Sequence, residues 1–263
     1  MKIAVLIKQV PVSNDVSVDP ETHTLVRASS EGMINPSDLN AVEAGLELKE
    51  QTDGQVVVFT MAPQEAEKSL REAMAMGCDE ACLITDRCFG GADTIATAKV
   101  LAEGIKKFGD FDLVMCGALS ADGATGQIGA MVAEYLSIPH ITEIQGVEYD
   151  PAEEEKIMAV KKYHDKLLKI KSSLPALVTV GFGCNTPRLA TLRTMRAAKK
   201  KPMTIYTNED LQMDTSKTGL KGSPTIVIDS FEPEAARKAV MIKGSGKELA
   251  EKLKELIEEG EKE

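Results

Sequence analysis

Phe111-Asp-Leu-Val-Met-Cys-Gly-Ala-Leu-Ser-Ala-Asp-Gly-Ala-Thr-Gly-Gln-Ile-Gly129 carries an apolar strand straight into a glycine-rich turn. Glycines at 123, 126 and 129, interleaved with Ser120, Asp122, Thr125 and Gln127, leave backbone amides free to meet an anion. The next residues, Ile128-Gly-Ala-Met-Val-Ala-Glu-Tyr-Leu136, have helical spacing. The turn therefore sits where a parallel strand hands over to a helix N-terminus, the usual ligand crevice of an open α/β sheet. The stretch matches neither G-x-G-x-x-G nor G-x-x-x-x-G-K-[ST], so it is neither the dinucleotide fingerprint nor the P-loop. Two readings stand side by side: a phosphate-binding loop, or glycines that serve only a tight strand-to-helix connection. Asp122 would repel a phosphate, and helix capping or acceptance from a ribose hydroxyl are its other roles.

Working outward, the chain alternates strands and helices. Strands are expected at Lys2 to Ile7, Gln55 to Thr60, Glu80 to Thr85 and Asp112 to Cys116; helices at Pro36 to Glu50, Pro63 to Met76, Ala92 to Phe108 and Ile128 to Leu136. Such alternation specifies a doubly wound, mostly parallel sheet covered on both faces. After Pro139 the pattern changes: Ile144 to Tyr149, Ile157 to Lys162, Leu167 to Lys171 and Leu174 to Val180 read as antiparallel strands added to one edge. A short apolar run, Pro202-Met-Thr-Ile-Tyr206, follows a basic segment. From Met213 to Lys243 there is little periodicity and several breakers, too long for a loop of a compact domain. This reads as an arm that orders on a partner, ending in a charged helix from Gly246 to Glu259. The expected division is therefore a nucleotide-binding domain over 1–212 and a C-terminal arm and helix over 213–263. Gly244-Ser-Gly-Lys247 lacks a preceding strand and is read as helix capping, not half a P-loop.

Composition excludes several classes. With 263 residues, 43% of them hydrophobic, the chain can bury a full core. A net charge of −10 argues against general nucleic-acid binding, and 4% aromatic content without Trp argues against a base-stacking surface. The longest apolar runs are strand-length, so no membrane span is expected. The short apolar start is cut off by Lys8-Gln9 before a signal-peptide core could form, and the expected location is the cytoplasm. Cysteines at 78, 82, 88, 116 and 184 form no C-x-x-C pair, and His23, His140 and His164 are scattered. Neither a metal site nor a hydrolytic triad is expected.

Six segments in order now carry a resemblance: Lys8-Gln-Val-Pro11; Ile34-Asn-Pro-Ser-Asp38; Thr60-Met-Ala-Pro63; Leu70-Arg-Glu-Ala-Met-Ala-Met-Gly-Cys-Asp-Glu-Ala81; Asp122-Gly-Ala-Thr-Gly-Gln127; and Asn185-Thr-Pro-Arg-Leu-Ala-Thr-Leu192 with Ala198-Lys-Lys-Lys201. Across nearly its whole length the chain resembles the β subunit of electron-transfer flavoproteins. The resemblance implies an adenine-nucleotide α-hydrolase-like fold that rests on an α subunit holding its own FAD. Respiratory members carry AMP in the β subunit, whereas electron-bifurcating members place a second FAD there. Asp86-Arg-Cys-Phe-Gly-Gly-Ala-Asp-Thr-Ile-Ala-Thr-Ala98 is similar to the bifurcating pattern. In that pattern Asp93, Thr94 and Thr97 would meet a flavin; Asp93-Thr94 is also a good helix N-cap.

By position, the resemblance places Leu6, Asn35, Thr60 and Met61 at the adenosine, and Gly117, Asp122, Gly123, Ala124, Thr125, Gly126 and Gln127 around the phosphates. Thr191, Leu192, Arg193 and Arg196 resemble the loop that docks on partner dehydrogenases, with Arg193 standing where respiratory members often carry Pro. The implied function is hydride acceptance from NADH at a β-subunit FAD. One electron would pass to ferredoxin and the other, through the α-subunit FAD, to a flavin dehydrogenase of the acyl-CoA or hydroxy-acid type. The alternatives are a single-flavin carrier with structural AMP and a stand-alone adenine-nucleotide sensor of the universal-stress type. The sensor leaves the docking loop and the 213–243 stretch without a role.

Overall fold

Ile3 and Val5 of the first strand point to one face of a sheet, Ala4 and Leu6 to the other, and all four are buried. The next strand repeats this, with Val56 and Val58 on one side and Val57 and Phe59 on the other. A strand buried on both faces needs helices on both, which is the physical content of the continuous apolar runs.

The computed structural model describes residues 1–12, 17–18, 25–26, 32–228 and 241–260. In chain order the elements are β1 Lys2–Leu6, β2 Gln9–Pro11, β3 Ser17–Val18, β4 Leu25–Val26, β5 Gly32–Ile34, α1 Pro36–Thr52, β6 Gln55–Met61, α2 Glu67–Met76, β7 Glu80–Ile84, α3 Thr94–Phe108, β8 Leu113–Gly117, α4 Ile128–Leu136, β9 His140–Glu148, β10 Lys156–Tyr163, β11 Lys166–Ser173, β12 Ala176–Val180, α5 Leu192–Ala198, β13 Met203–Tyr206, α6 Asn208–Leu211 and α7 Gly246–Gly260. One compact unit spans Met1–Ile228 and a second spans Asp229–Glu263, in which α7 lies.

The main sheet of the first unit runs β11-β10-β9-β12-β8-β1-β6-β7-β13. From β9 to β13 every pairing is parallel; β10 and β11 add an antiparallel meander at one edge. The doubly wound α/β class read from the sequence is the observed one. β2 to β5 and α5 were not expected from the sequence, β9 pairs parallel with β12, and one expected strand lies elsewhere. Leu174 to Val180 was expected at an antiparallel edge, yet Ala176–Val180 lies inside the sheet, parallel to both β8 and β9. All five of its residues are buried, the mark of a parallel interior strand rather than a half-exposed edge.

From β1 the chain winds through α1, β6, α2 and β7 to one side, then returns along α3 to place β8 on the other side of β1. The order reverses between β1 and β8, so their carboxyl ends diverge and open a crevice there. Helices α1, α2 and α5 cover one face, with Ala41, Leu46, Leu70 and Met74 in its core; α3 and α4 cover the other, with Val100, Leu101, Val132 and Ala133. Asp93 caps α3 through its side chain, which accepts from Ala96 N.

After β12 the chain crosses the outer side of α1 to reach the far edge. Asn40 donates to the Asn185 side chain at 2.7 Å, and Glu43 receives Arg188 Nε and Nη2 at 3.0 and 2.9 Å. These contacts explain why α1 is buried on its polar side as well.

Residues Thr215–Lys217 and Gly219–Gly222 form 3-10 turns that pack beside the stretch preceding α3, with Leu220 N donating to Gly90 O at 3.0 Å. The remainder of the expected arm, 229–240, falls outside the described residues. In the second unit Ser245 donates its N–H and hydroxyl to the Glu248 carboxylate, so the Gly244-Ser-Gly-Lys247 segment is a helix cap, as read from the sequence. Among the described residues no helix is long and apolar enough to cross a membrane.

Candidate functional site

Three side chains from the start of α1 template the loop after β8. Asp38 Oδ1 accepts from Gly117 N at 2.9 Å. Ser37 Oγ donates to Leu119 O at 2.6 Å. Asn35 donates to the same carbonyl at 3.0 Å and accepts from Ala121 N at 2.9 Å. Alternate residues 117, 119 and 121 are thus gripped in turn, and Asn35, Ser37 and Asp38 are all buried. Asp38 Oδ2 also accepts from Lys8 N at 2.7 Å, so a single carboxylate joins the ends of β1 and β8. Burial pushes its pKa up to about 7, against opposing hydrogen bonds from Lys8, Asn35 and Gly117.

Beyond residue 121 the loop turns outward. Gly126 has φ +64°, and Ala124 takes φ +48° with its N–H donating to Ser120 O at 2.8 Å. The N–H groups of Thr125, Gly126 and Gln127 donate to no acceptor among the described residues. The N-terminus of α4 lies immediately behind them, an arrangement whose chemistry suits an anion. Gly129 serves packing instead: a Cβ there would stand 2.3 Å from Thr179 Cγ2.

Asp122 does not cap α4, whose N-cap Gln127 makes no side-chain cap bond. It pairs with Lys8 Nζ at 2.6 Å, and Lys8 reaches Ser120 Oγ at 3.4 Å. Burial raises the Asp122 pKa, but the bonds from Lys8 and Ser120 outweigh it and the group lies below the ordinary carboxylate value. The lysine thereby offsets the charge that would repel a phosphate. Lys8 and Asp38 were quoted in the sequence motifs but not as site residues; their signal was a charged residue at the junctions of strand end and helix start.

Leu6 and Thr60 are buried at the carboxyl ends of β1 and β6, and Met61 is half-buried beside them. They lie at the strand ends, apolar apart from one hydroxyl. The N-terminus of α3 meets the loop directly, because Thr94 Oγ1 donates to Gln127 Oε1 at 3.1 Å. Two regions singled out separately in the sequence therefore share one rim. Asp93 Oδ2 receives Thr225 N at 3.1 Å and Thr225 Oγ1 at 2.8 Å, while Asp93 N donates to Ser223 Oγ. Burial raises the Asp93 pKa, and its hydrogen bonds from Ala96 and Thr225 bring it below the ordinary value. Ser223 and Thr225 had no sequence signal beyond their residue type. Thr97 follows one turn along α3.

Thr191 and Thr194 form a reciprocal capping box that starts α5. It leaves Leu192 77% exposed, with Leu189 at 91% close by. Arg193 and Arg196 are exposed on the same short helix. Leu189 was not singled out in the sequence. The residues expected to dock a partner and the crevice residues form separate groups along the chain, after β12 and around the β1–β8 switch point respectively.

Residues 22–211 match the family model described as the electron transfer flavoprotein domain. The chain is 43% identical over 258 residues to the electron transfer flavoprotein subunit beta of Thermoanaerobacterium thermosaccharolyticum, covering 98% of each chain. It is 40% identical over 261 residues to the caffeyl-CoA reductase-Etf complex subunit CarD of Acetobacterium woodii, covering 97% of this chain and 98% of the relative. Against the acryloyl-CoA reductase electron transfer subunit gamma of Anaerotignum propionicum it is 38% identical over 261 residues, covering 96% of each.

Proposed function

The chain belongs to the electron transfer flavoprotein family as a β subunit, and from this premise we propose that it binds FAD across the β1–β8 crevice in a bifurcating complex. The observation that carries this reading is the Thr94–Gln127 contact at 3.1 Å. It makes the polar start of α3 continuous with the glycine loop, and an adenylate needs only the loop. A longer cofactor uses both.

The residues fit such a group. The amides of Thr125, Gly126 and Gln127, with Lys8 nearby, would take the phosphates. Asn35 and Met61 would flank the adenosine, and Thr94 and Thr97 would offer hydroxyls to the flavin's polar edge or ribityl chain. FAD, when bound, supplies hydride acceptance from NADH and one-electron transfer to ferredoxin and to the α-subunit FAD. The chain's own work is to bind, orient and tune; no side chain acts as nucleophile or general acid. Leu192, with Thr191, Arg193 and Arg196, would dock the flavin dehydrogenase. The names of the two reductase-complex relatives favour an acyl-CoA-type partner. The cytoplasm is the proposed location.

One observation favours the single-flavin alternative with structural AMP. The Asp93 carboxylate is already committed to Ala96 and Thr225, so that acceptor at the start of α3 is occupied by protein partners. The test is the cofactor content of the heterodimer copurified with its α subunit, by acid release and chromatography. Two FAD and no AMP per heterodimer is the expected result; one FAD with one AMP would replace it with the single-flavin carrier.

A further inference from the structure

Helix α5 has almost no core of its own. Of its seven residues Ala198 alone is buried, and a helix this short does not hold its form in water without support. The support lies at its ends. Thr191 and Thr194 satisfy the first turn through their capping box. At the other end a guanidinium from α2 closes the exit: Arg71 Nη1 donates to Ala198 O at 2.9 Å and to Lys201 O at 3.0 Å. Glu67 aligns that guanidinium, accepting from Nε and Nη2 at 3.3 Å. The contact is reciprocal. Lys201 Nζ donates to Met74 O in the last turn of α2 at 3.0 Å, and to Cys78 O just beyond it at 2.5 Å. The carbonyl end of each helix, where the dipole is negative, is thus closed by a cation from the other segment.

The flanks of the segment are fixed as well. Upstream, Arg188 is tied to α1 through Glu43; downstream, Pro202 O accepts from Ala81 N at 3.2 Å, and the chain runs directly into β13 beside β7. Between these anchors Leu192 and Met195, three residues apart and therefore on one helix face, are 77% and 47% exposed. A helix with so little packing beneath it, yet capped at both ends and clasped to its neighbour, is arranged to present a surface. We propose that Arg71 and Lys201 are positioning residues for docking: they hold α5 preformed, so that a partner dehydrogenase meets an ordered helix and does not have to order one. Ordering the segment on contact would draw on the binding energy, and preforming it removes that cost. The proposal rests on the reading of Leu192 as docking anchor given above, and on the clasp for the order of the helix.

The test uses the heterodimer with its α subunit, purified with its cofactors bound, and an acyl-CoA dehydrogenase from the same cell as electron acceptor. Steady-state reduction is measured against dehydrogenase concentration, and amide hydrogen exchange of residues 192–199 is followed on the same samples. In Arg71→Gln and in Lys201→Gln the KM for the dehydrogenase is expected to rise about tenfold with kcat within about twofold, while the α5 amides exchange about tenfold faster and cofactor content is unchanged. Arg71→Lys should recover part of the KM, because an ammonium keeps the charge but not the guanidinium's fork of donors. Ala197→Gly, at an exposed position of α5, weakens the helix by an independent route and should raise KM in the same direction. Leu192→Ala is measured alongside. An effect of Leu192→Ala on KM with none from Arg71→Gln, Lys201→Gln or Ala197→Gly overturns the clasp proposal and leaves the docking surface standing. A fall in kcat at constant KM, or α5 exchange equal to that of the wild type, also overturns it. If Leu192→Ala is without effect, or the wild type reduces no dehydrogenase, the docking reading fails and the proposal with it.

Discussion

The Asp38 carboxylate accepts the Gly117 N–H at 2.9 Å from 79 residues away, and with its other oxygen the Lys8 N–H at 2.7 Å. It therefore sets the separation of β1 and β8 where the strand order reverses. The crevice has a defined width because one buried acceptor is shared between the two strand ends.

Gly117 has no room for a side chain. A Cβ there would stand 2.3 Å from Asp38 Oδ1 and 2.4 Å from Ser37 Oγ. Gly117→Ala is expected to destabilise by about 2 kcal/mol or more through overpacking. Urea unfolding of the purified chain checks this; a change within error would mean that α1 yields easily at its N-terminus.

The raised pKa of Asp38 gives stability a pH dependence. Burial favours the neutral form, so the folded chain binds the proton more tightly than the unfolded chain, from the ordinary 3.8 up to about 7. Its contribution is present in full below pH 3.8 and is lost as the pH rises through about 7. Asp38→Asn removes this titration and turns an amide NH2 toward one backbone N–H, costing about 1–3 kcal/mol. The difference in urea midpoint between wild type and variant should shrink as pH rises across that window; a constant difference refutes the assignment.

Lys8 and Asp122 pair at 2.6 Å beside the proposed phosphate site. Lys8→Gln leaves the carboxylate facing the anion, and adenine-nucleotide affinity is expected to fall about tenfold. Asp122→Asn should act in the opposite direction. Nucleotide retained after dialysis of each heterodimer decides, and changes of the same sign in both variants would count against the proposed phosphate site.

Arg188 holds Glu43, whose side chain is 7% exposed, through Nε and Nη2, and reaches Glu50 with Nη1. Arg188→Ala strands a buried carboxylate and is expected to cost about 2–4 kcal/mol. Arg188→Lys should recover only part of this, because an ammonium cannot reproduce the paired donors. Thermal unfolding of the two variants measures the difference.

Leu192 is 77% exposed at the start of α5. Leu192→Ala should leave stability within about 0.5 kcal/mol, while electron delivery to a partner dehydrogenase falls about tenfold if Leu192 is the docking anchor. Steady-state reduction of the dehydrogenase by the heterodimer is the readout, and Leu189→Ala, measured alongside, shows whether the neighbouring exposed leucine shares the role.

The order of the main strands and helices from β1 through α4 could be read from the chain alone, since each depends on local runs such as Val56 to Phe59 or the spacing from Ile128 to Leu136, whereas the short strands β2 to β5 and the helix α5 were not read. The glycine loop and the capping of α3 by Asp93 were legible for the same reason: turn chemistry and caps act within a few residues. Strand neighbours were not. Ala176–Val180 is continuous and apolar, yet its place between β8 and β9 depends on which crossover reaches which edge, and that is settled by packing over the whole sheet. The site divides along the same line. Residue types at 35–38, 94 and 123–127 announced polar recognition, but the grip of Asn35, Ser37 and Asp38 on residues 117–121 and the meeting of Thr94 with Gln127 join segments far apart in sequence. Hydrogen bonds of that kind exist only once the sheet has brought its strand ends together, so tertiary structure alone decided them.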